Sequence, residues 1–287
     1  MALCGRLLVG ILLAIAFALP GRAELPAELR VLTYNIHHGE GVDGKFDLPR
    51  IAEVIKSASP DLVALQEVDQ GTARASGVDQ PAELARLTGM EVVFGQNIDF
   101  EGGGYGTAVL SRLPVKAHSS VKLRSFYEGT DDQPEQRGVQ ILEIGEPGEA
   151  GLVFLCTHLD YRPDERERMA SAETINDLAA KYGERLMILA GDLNAVPDSR
   201  VMREFAKRWT IAGADAKTPL GRELGAERQA AGSAVKVRTF PSGEPVKWID
   251  YVLVRPAARW EVVEVRVIEE RIASDHRPLL AVLRRMP

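Results

Sequence analysis

Short apolar runs separated by polar turns restrict the fold of this chain more than any other feature. Runs rich in Val, Ile and Leu recur along the chain, and stretches with helical spacing lie between some of them. The strand-like runs lie at 29–36, 62–67, 91–95, 106–111, 115–123, 138–144, 152–158, 186–190, 248–254, 262–268 and 279–283, and the helical stretches at 48–57, 81–87, 163–181 and 200–207.

The order of these segments predicts mixed β-sheets. Helices alternate with strands early in the chain, whereas strands follow one another from about 91 to 158. This order is typical of an α/β chain whose mixed sheets carry helices on their outer faces. Asp47 is placed to cap the first helix, with Pro49 in its first turn. The segment 213–235, rich in Ala, Gly and charge, is predicted to be a surface loop.

Polar side chains interrupt or follow several of the apolar runs, where strands are expected to end. If these ends converge, they form a pocket rich in carboxylates with two imidazoles on a rigid scaffold. Each residue alone is more typical of a turn, but the set indicates a site. The residues are Asn35, Glu67, His158, Asp192, Asn194, Asp250, Asp275 and His276.

The motifs that contain these residues resemble, in order, those of the endonuclease/exonuclease/phosphatase superfamily. They are Thr-Tyr-Asn-Ile at 33–36, Leu-Gln-Glu-Val-Asp at 65–69, Thr-His-Leu-Asp at 157–160, Gly-Asp-Leu-Asn at 191–194, Trp-Ile-Asp-Tyr at 248–251 and Ser-Asp-His-Arg-Pro at 274–278. The resemblance spans about residues 29 to 284. It implies a four-layer α/β sandwich, with two mixed β-sheets packed face to face and helices outside.

The resemblance also implies a metal-dependent hydrolase of phosphoester bonds. It assigns Asn35, Glu67 and Asp275 to Mg²⁺, with Mn²⁺ as a possible substitute. Carboxylate and amide oxygens suit such a hard cation, which keeps several waters and needs few protein ligands. The two histidines of the set do not match a zinc motif, because the chain has neither HExxH nor a Cys ligand set.

The remaining residues of the set take catalytic roles by the same resemblance. His276 matches the essential histidine, and Asp250 matches the carboxylate that orients it. Asp192 and Asn194 would flank the attacking water, and either Asp192 or His276 would remove its proton. His158 would donate a hydrogen bond to a non-bridging phosphate oxygen.

Other residues have two interpretations. Arg137 and Tyr105 are candidates to contact the substrate, although a salt bridge from Arg137 to Glu135 is equally compatible with the sequence. His37 and His38 could face the cleft, but exposed loop positions are favoured. The stretch 162–168 has mixed charge and is predicted to be a solvated helix start, and 102–106 to be a hairpin turn. Cys156 lies in an apolar run and is predicted to be a buried strand residue rather than a nucleophile.

The N-terminus has the pattern of an export signal. A basic Met1–Arg6 stretch precedes an uncharged apolar run at 7–19, which is followed by Pro-Gly-Arg-Ala. As a helix this run would rise about 20 Å, too short for a bilayer core of roughly 30 Å, so a membrane anchor is the less favoured alternative. We expect residues 1–23 to be cleaved, leaving 24–287 as one catalytic domain in the periplasm or outside the cell.

The formal net charge of the chain limits the class of substrate that we expect. Removing Arg6 and Arg22 takes the formal net charge from −6 to −8, which does not suggest a protein that binds polymeric DNA through many phosphates. A small or lipid-linked phosphoester is therefore the expected substrate, with peripheral membrane contact possible for a monomer. A secreted nuclease is the first alternative. A non-catalytic binding module is the second, although every expected motif position is filled.

Overall fold

Two six-stranded β-sheets packed face to face form the centre of the molecule. The computed structural model describes residues 25–126, 135–146, 151–214 and 237–287, so the predicted signal segment and nearly all of the loop predicted at 213–235 lie outside the described residues. The described strands are β1 (Glu28–Asn35), β2 (Leu62–Gln70), β3 (Glu91–Phe100), β4 (Gly103–Ser111), β5 (Val115–Lys122), β6 (Gly138–Ile144), β7 (Leu152–His158), β8 (Leu186–Asp192), β9 (Thr210–Ile211), β10 (Asp250–Arg255), β11 (Trp260–Val267) and β12 (Leu279–Arg285).

Each sheet is mixed, as predicted. The first has the order β11-β12-β1-β2-β4-β3 and the second β5-β6-β7-β8-β10-β9. The pairs β1–β2 and β7–β8 are parallel, whereas β4 and β10 run antiparallel to their neighbours β2 and β8. A parallel pair therefore lies near the middle of each sheet.

Within the described ranges, four α-helices cover the outer faces: α1 (Leu48–Ala58), α2 (Gln80–Thr88), α3 (Arg166–Ala180) and α4 (Arg200–Ala206). The Asp47 carboxylate accepts a hydrogen bond of 2.9 Å from Arg50 N and caps α1, as predicted. Helix α3 begins at Arg166 rather than at the expected Pro163. The predicted solvated start is wrong for Arg168, which is buried and donates to the Asp160 carbonyl oxygen at 2.8 Å.

The core has three apolar layers because strand side chains alternate between two faces. In β7, for example, Phe154 and Cys156 face the layer between the two sheets, whereas Val153 and Leu155 face the layer under α3 and α4. A third layer packs α1 and α2 on the first sheet. These layers confirm the four-layer sandwich. None of the helices within the described residues is long and apolar enough to span a membrane.

Candidate active site

Polar side chains meet at one edge of the sandwich because several strands end there. Strand β1 ends at Asn35, β7 at His158 and β8 at Asp192. Since β10 runs antiparallel to β8, its first residue, Asp250, lies opposite Asp192. The parallel register of β7 and β8 places His158 opposite Asp192 on the other side. His158, Asp192 and Asp250 thus occupy neighbouring positions across the second sheet.

A crevice of about 510 Å³ opens at this edge. Asn35 and Asp250 bound it through hydrogen bonds: Asn35 Nδ2 donates to Asp192 Oδ2 at 3.3 Å, and Asp250 Oδ2 lies 3.0 Å from His276 Nδ1. The structure therefore brings all the predicted site residues together. Those that line the crevice itself are Glu67, Tyr105, Arg137, His158, Asp192, Asn194, Asp275 and His276.

A β-bulge turns Glu67 toward the crevice. The pairing of β2 with β4 shifts register between Leu65 and Val68, and Glu67 has a φ of 56°, in the left-handed region. Its Oε1 accepts a hydrogen bond of 2.9 Å from Asn35 Nδ2. Burial would raise the pKa of Glu67, but interactions with His38 and Asn35 hold this pKa below the ordinary value. Glu67 is therefore a carboxylate in the folded protein.

The donor set at this point fits a divalent cation. Glu67 and Asp275 supply carboxylates to the same crevice, and anionic oxygens are the ligands that hard divalent cations prefer. The Asn35 Oδ1 accepts a hydrogen bond of 3.0 Å from His37 N, so its second lone pair is the one left for an ion. Its role as a ligand stays a prediction.

His276 lies between two buried aspartates. Its Nδ1 is 3.0 Å from Asp250 Oδ2, and its Nε2 is 3.7 Å from Asp192 Oδ2. Burial alone would lower the pKa of His276, but Asp250 raises it well above its ordinary value. Burial and the charge of Asp250 raise the pKa of Asp192. The Asp192–His276 pair can therefore hold or exchange a proton at the crevice floor.

Arg137 fixes the proton position on the second imidazole. Its Nη1 lies 3.0 Å from His158 Nδ1, and because a guanidinium only donates, Nδ1 must be the acceptor. Burial and the positive charge of Arg137 hold the pKa of His158 well below its ordinary value. His158 is thus neutral, with its proton on Nε2, 3.5 Å from Asp192 Oδ2. Asn194 Nδ2 lies 3.2 Å from His158 Nε2, but both of these nitrogens are donors. The Asn194 amide therefore donates to the Leu159 carbonyl oxygen, at 3.1 Å.

Two interpretations of Arg137 prove compatible with each other. Its Nη1 also forms a salt bridge of 3.2 Å with Glu135, as one interpretation of the sequence had it. Arg137 nevertheless lines the crevice, as does Tyr105 from β4. Glu135 itself lines the crevice. The sequence indicated it only as a salt-bridge partner and not as a site residue, because nothing in the Glu-Gln-Arg-Gly stretch separates it from an ordinary surface carboxylate.

The favoured prediction of exposed loop positions for His37 and His38 is wrong. Both lie in a 3₁₀ turn, His37–Gly39, directly after β1. The His38 side chain is only 13 % exposed and lies 4.0 Å from Glu67 Oε2. The alternative, that they face the cleft, is not confirmed either, because neither is among the residues that line the crevice; they lie beside it, next to Glu67. The signal in the sequence for a position near the site was that both histidines follow closely after Asn35.

Comparison with known proteins agrees with this geometry. The model of the endonuclease/exonuclease/phosphatase family matches residues 32–276. The chain therefore belongs to this family, and it is a hydrolase of the phosphoesterase and nuclease type. Members of the family generally use a divalent metal ion, and the carboxylates and histidines of the crevice are groups that could bind one.

Relatives span bacteria and animals. The chain is 29 % identical over 270 residues to protein YbhP of Escherichia coli (strain K12), covering 88 % of this chain and 94 % of that protein. It is 27 % identical over 203 residues to the 5′-tyrosyl-DNA phosphodiesterase of Caenorhabditis elegans, covering 67 % of this chain and 50 % of that enzyme. A solved endonuclease/exonuclease/phosphatase from Beutenbergia cavernae DSM 12333 matches with a TM-score of 0.66 and 24 % identity, over 90 % of this chain and 72 % of that one.

Proposed function

We propose that this chain is an exported, Mg²⁺-dependent phosphoesterase that hydrolyses a small or lipid-linked phosphoester by in-line attack of water. The supporting observation is that carboxylates, imidazoles and a guanidinium from both sheets line one crevice. Its volume of about 510 Å³ is in the range of sites that enclose small ligands. Export rests on the N-terminal sequence pattern alone.

Glu67, Asp275 and Asn35 would hold the ion, with Mn²⁺ as a substitute for Mg²⁺. When bound, such a cation neutralises negative charge on the phosphate and on the leaving oxygen. The oxygen-only composition of this set favours Mg²⁺ over a softer metal.

The other side chains of the crevice would bind the phosphate and move the proton. The Asp192–His276 pair accepts the proton of the attacking water, with Asp250 holding the His276 ring. Neutral His158 donates its Nε2–H to a non-bridging oxygen as negative charge develops there. Arg137 and the Tyr105 hydroxyl would contact the phosphate, since both line the crevice and a guanidinium can donate two parallel hydrogen bonds to a phosphate.

The mouth of the crevice supports a substrate with an apolar part. Tyr161 and Val196 line it and are 69 % and 40 % exposed, and Phe240 and Ile249 line it too. Exposed apolar side chains beside a polar site suit an acyl or other apolar group next to a phosphate. The same side chains would permit peripheral contact of a monomer with a lipid surface.

A nuclease acting on DNA or RNA is the second candidate. The observation that favours it is the similarity to the 5′-tyrosyl-DNA phosphodiesterase of C. elegans. Against it stands the formal net charge of −6, because affinity for polymeric nucleic acid depends on many cationic contacts with phosphates.

A substrate panel tests the proposal. The purified protein, stripped of metal with a chelator and supplied with Mg²⁺, is assayed on bis-p-nitrophenyl phosphate, p-nitrophenyl phosphate, a phospholipid and plasmid DNA. We expect Mg²⁺-dependent hydrolysis of a small ester or the phospholipid and little attack on plasmid. Steady hydrolysis of duplex DNA that falls steeply with salt would instead support the nuclease. Hydrolysis that persists without metal would overturn the metal requirement.

A further inference from the structure

Glu67 presents its two oxygens to two different environments. Its Oε1 faces the amide of Asn35 at 2.9 Å, on the side of Asp192 and the proposed Mg²⁺ ligands. Its Oε2 lies 4.0 Å from His38 Nδ1. One nitrogen of His37, one of His38 and one Glu67 oxygen lie within 4.8 Å of one another. The second side of this carboxylate therefore meets two imidazoles.

One nitrogen of each imidazole has an acceptor on Glu40. His37 Nδ1 lies 3.0 Å from the Glu40 carbonyl oxygen, so it donates its proton there and leaves the lone pair on Nε2. His38 Nε2 lies 3.4 Å from Glu40 Oε2, which leaves the lone pair of His38 on Nδ1. Metal-binding histidines commonly donate the second ring N–H to a carbonyl or a carboxylate in this way, because the contact fixes tautomer and ring orientation.

His38 Nδ1 is buried and has no hydrogen-bond partner within the described part of the chain. The 4.0 Å separation from Glu67 Oε2 is too long for a hydrogen bond. A buried nitrogen that faces a carboxylate without bonding to it is costly, unless a third group completes the contact. A metal ion between the two atoms would do so.

The backbone is strained where these side chains are aimed. His37, His38 and Glu67 have φ values of 46°, 44° and 56°. All three values lie in the left-handed region, which residues other than Gly rarely adopt. Such strain persists only where the surrounding structure enforces it, and it concentrates at functional sites.

Two partly buried hydrogen bonds hold the strained turn in place. His37 N donates to Asn35 Oδ1 at 3.0 Å, and the buried Gln80 of α2 donates from Nε2 to the His38 carbonyl at 2.6 Å. A side chain at Gly39, whose φ is 87°, would come within 2.9 Å of that same Gln80 nitrogen. Contacts with Asn35 of β1 and with Gln80 of α2 therefore fix the conformation of this turn.

We propose that His37, His38 and Glu67 form a second cation site, selective for a divalent transition metal of the Zn²⁺ or Fe²⁺ class, with Glu67 shared between this ion and Mg²⁺. Two imidazoles with one carboxylate suit such ions better than Mg²⁺, which prefers oxygen. Zn²⁺ bonds of about 2.0–2.1 Å put tetrahedral ligand atoms about 3.4 Å apart, so a shift of about 1 Å closes the set. The site does not depend on the proposed substrate or on catalysis.

Cobalt(II) binding in the presence of Mg²⁺ tests this site. Tag-free protein, stripped of metal and kept in excess Mg²⁺ to fill the oxygen site, is titrated with Co²⁺ by calorimetry and visible absorption. We expect one tightly bound equivalent, with two exchangeable imidazole N–H resonances shifted by the paramagnetic ion in proton NMR. His37→Ala and His38→Ala should each weaken binding at least a hundredfold, and Glu40→Gln ten- to a hundredfold.

Two further variants distinguish loss of metal binding at this site from effects of substitutions elsewhere. His118→Ala is the matched control, because His118 lies exposed on β5 and should leave Co²⁺ binding unchanged. His276→Ala should lower hydrolysis about a thousandfold and still bind Co²⁺, so failure of the catalytic proposal and failure of the metal proposal give different results. If a His37 or His38 variant does not fold by circular dichroism, Glu40→Gln decides. Absence of Co²⁺ binding under excess Mg²⁺, or binding unaltered in the folded variants, overturns the proposal.

Discussion

The Arg137 guanidinium makes His158 a hydrogen-bond donor with a defined proton. Because Arg137 is buried and 3.0 Å from His158 Nδ1, the imidazole cannot become charged without placing two cations in contact. The aspartates around His276 have the opposite effect, since they stabilise its charged form. Two histidines in one crevice thus differ in charge because of the side chains that they contact.

Replacement of Arg137 should change both the pKa of His158 and the rate of hydrolysis. In Arg137→Gln the pKa of His158 should rise, because the positive charge that lowers it is removed, although burial keeps it below the ordinary value. We expect hydrolysis to fall about a hundred- to a thousandfold, as for loss of one donor to the developing charge. NMR titration of His158 and kcat against pH measure these effects. An unchanged His158 pKa in the folded variant would refute the contact, and Arg284→Gln on the distant β12 serves as the charge-matched control.

Residue types at strand ends were predictable because burial excludes polar side chains from the strands themselves. Asn35, His158 and Asp192 stand at the ends of apolar runs, so their positions at strand ends followed from the sequence. The bulge at Glu67 and the turn at His37 and His38 were not predictable in the same way. Both depend on left-handed backbone at residues other than Gly, which the surrounding structure enforces and which no local propensity indicates.

Strand β7 joins the core to the site. Its residues are all buried, and Cys156, two residues before His158, faces the layer between the sheets, with Sγ 3.8 Å from the Leu65 carbonyl. Burial raises the pKa of the Cys156 thiol to about 12. This residue is therefore a core side chain, as the sequence predicted, and not a nucleophile.

The Cys156 thiol should make stability depend on pH in the alkaline range. A thiol pKa raised on folding contributes stability that is complete below about 8.5, its unfolded value, and is lost as pH rises toward the folded value. The advantage of the wild type over Cys156→Ala in free energy of unfolding should thus be about 2 kcal/mol smaller at pH 10 than at pH 7. Urea unfolding at the two pH values measures it. An equal difference at both would show that the thiol ionises freely in the folded state.

The strand boundaries differ from the predicted ones where the local hydrophobic pattern and the hydrogen-bond pairing between strands disagree. Strand β9 has only two residues, Thr210–Ile211, too short to give an alternating pattern. Strand β3 extends past the predicted residue 95 to Phe100, because pairing with β4 continues to that residue across a register shift between Gln96 and Ile98. Hydrogen bonding to a neighbouring strand decides such ends, and a single segment of sequence does not contain that information.

The whole molecule places its chemistry where the two sheets end together. Asn35 and Glu67 come from the first sheet, whereas His158, Asp192 and Asp250 come from the second, and the hydrogen bond from Asn35 to Asp192 crosses between them. The site therefore requires the complete sandwich and cannot form in either half. The sequence indicated this convergence only through its resemblance to a known family, because spacing along the chain does not report which strands become neighbours.

Hydrolysis by His276→Ala tests this account most directly. The kcat/KM for bis-p-nitrophenyl phosphate with Mg²⁺ is compared among wild type, His276→Ala and the exposed-position control His118→Ala, with circular dichroism confirming that each is folded. Because His276 joins Asp250 to Asp192, we predict a loss of about a thousandfold for His276→Ala and none for the control. Activity of folded His276→Ala equal to that of the wild type would contradict the assignment of the crevice as the catalytic site.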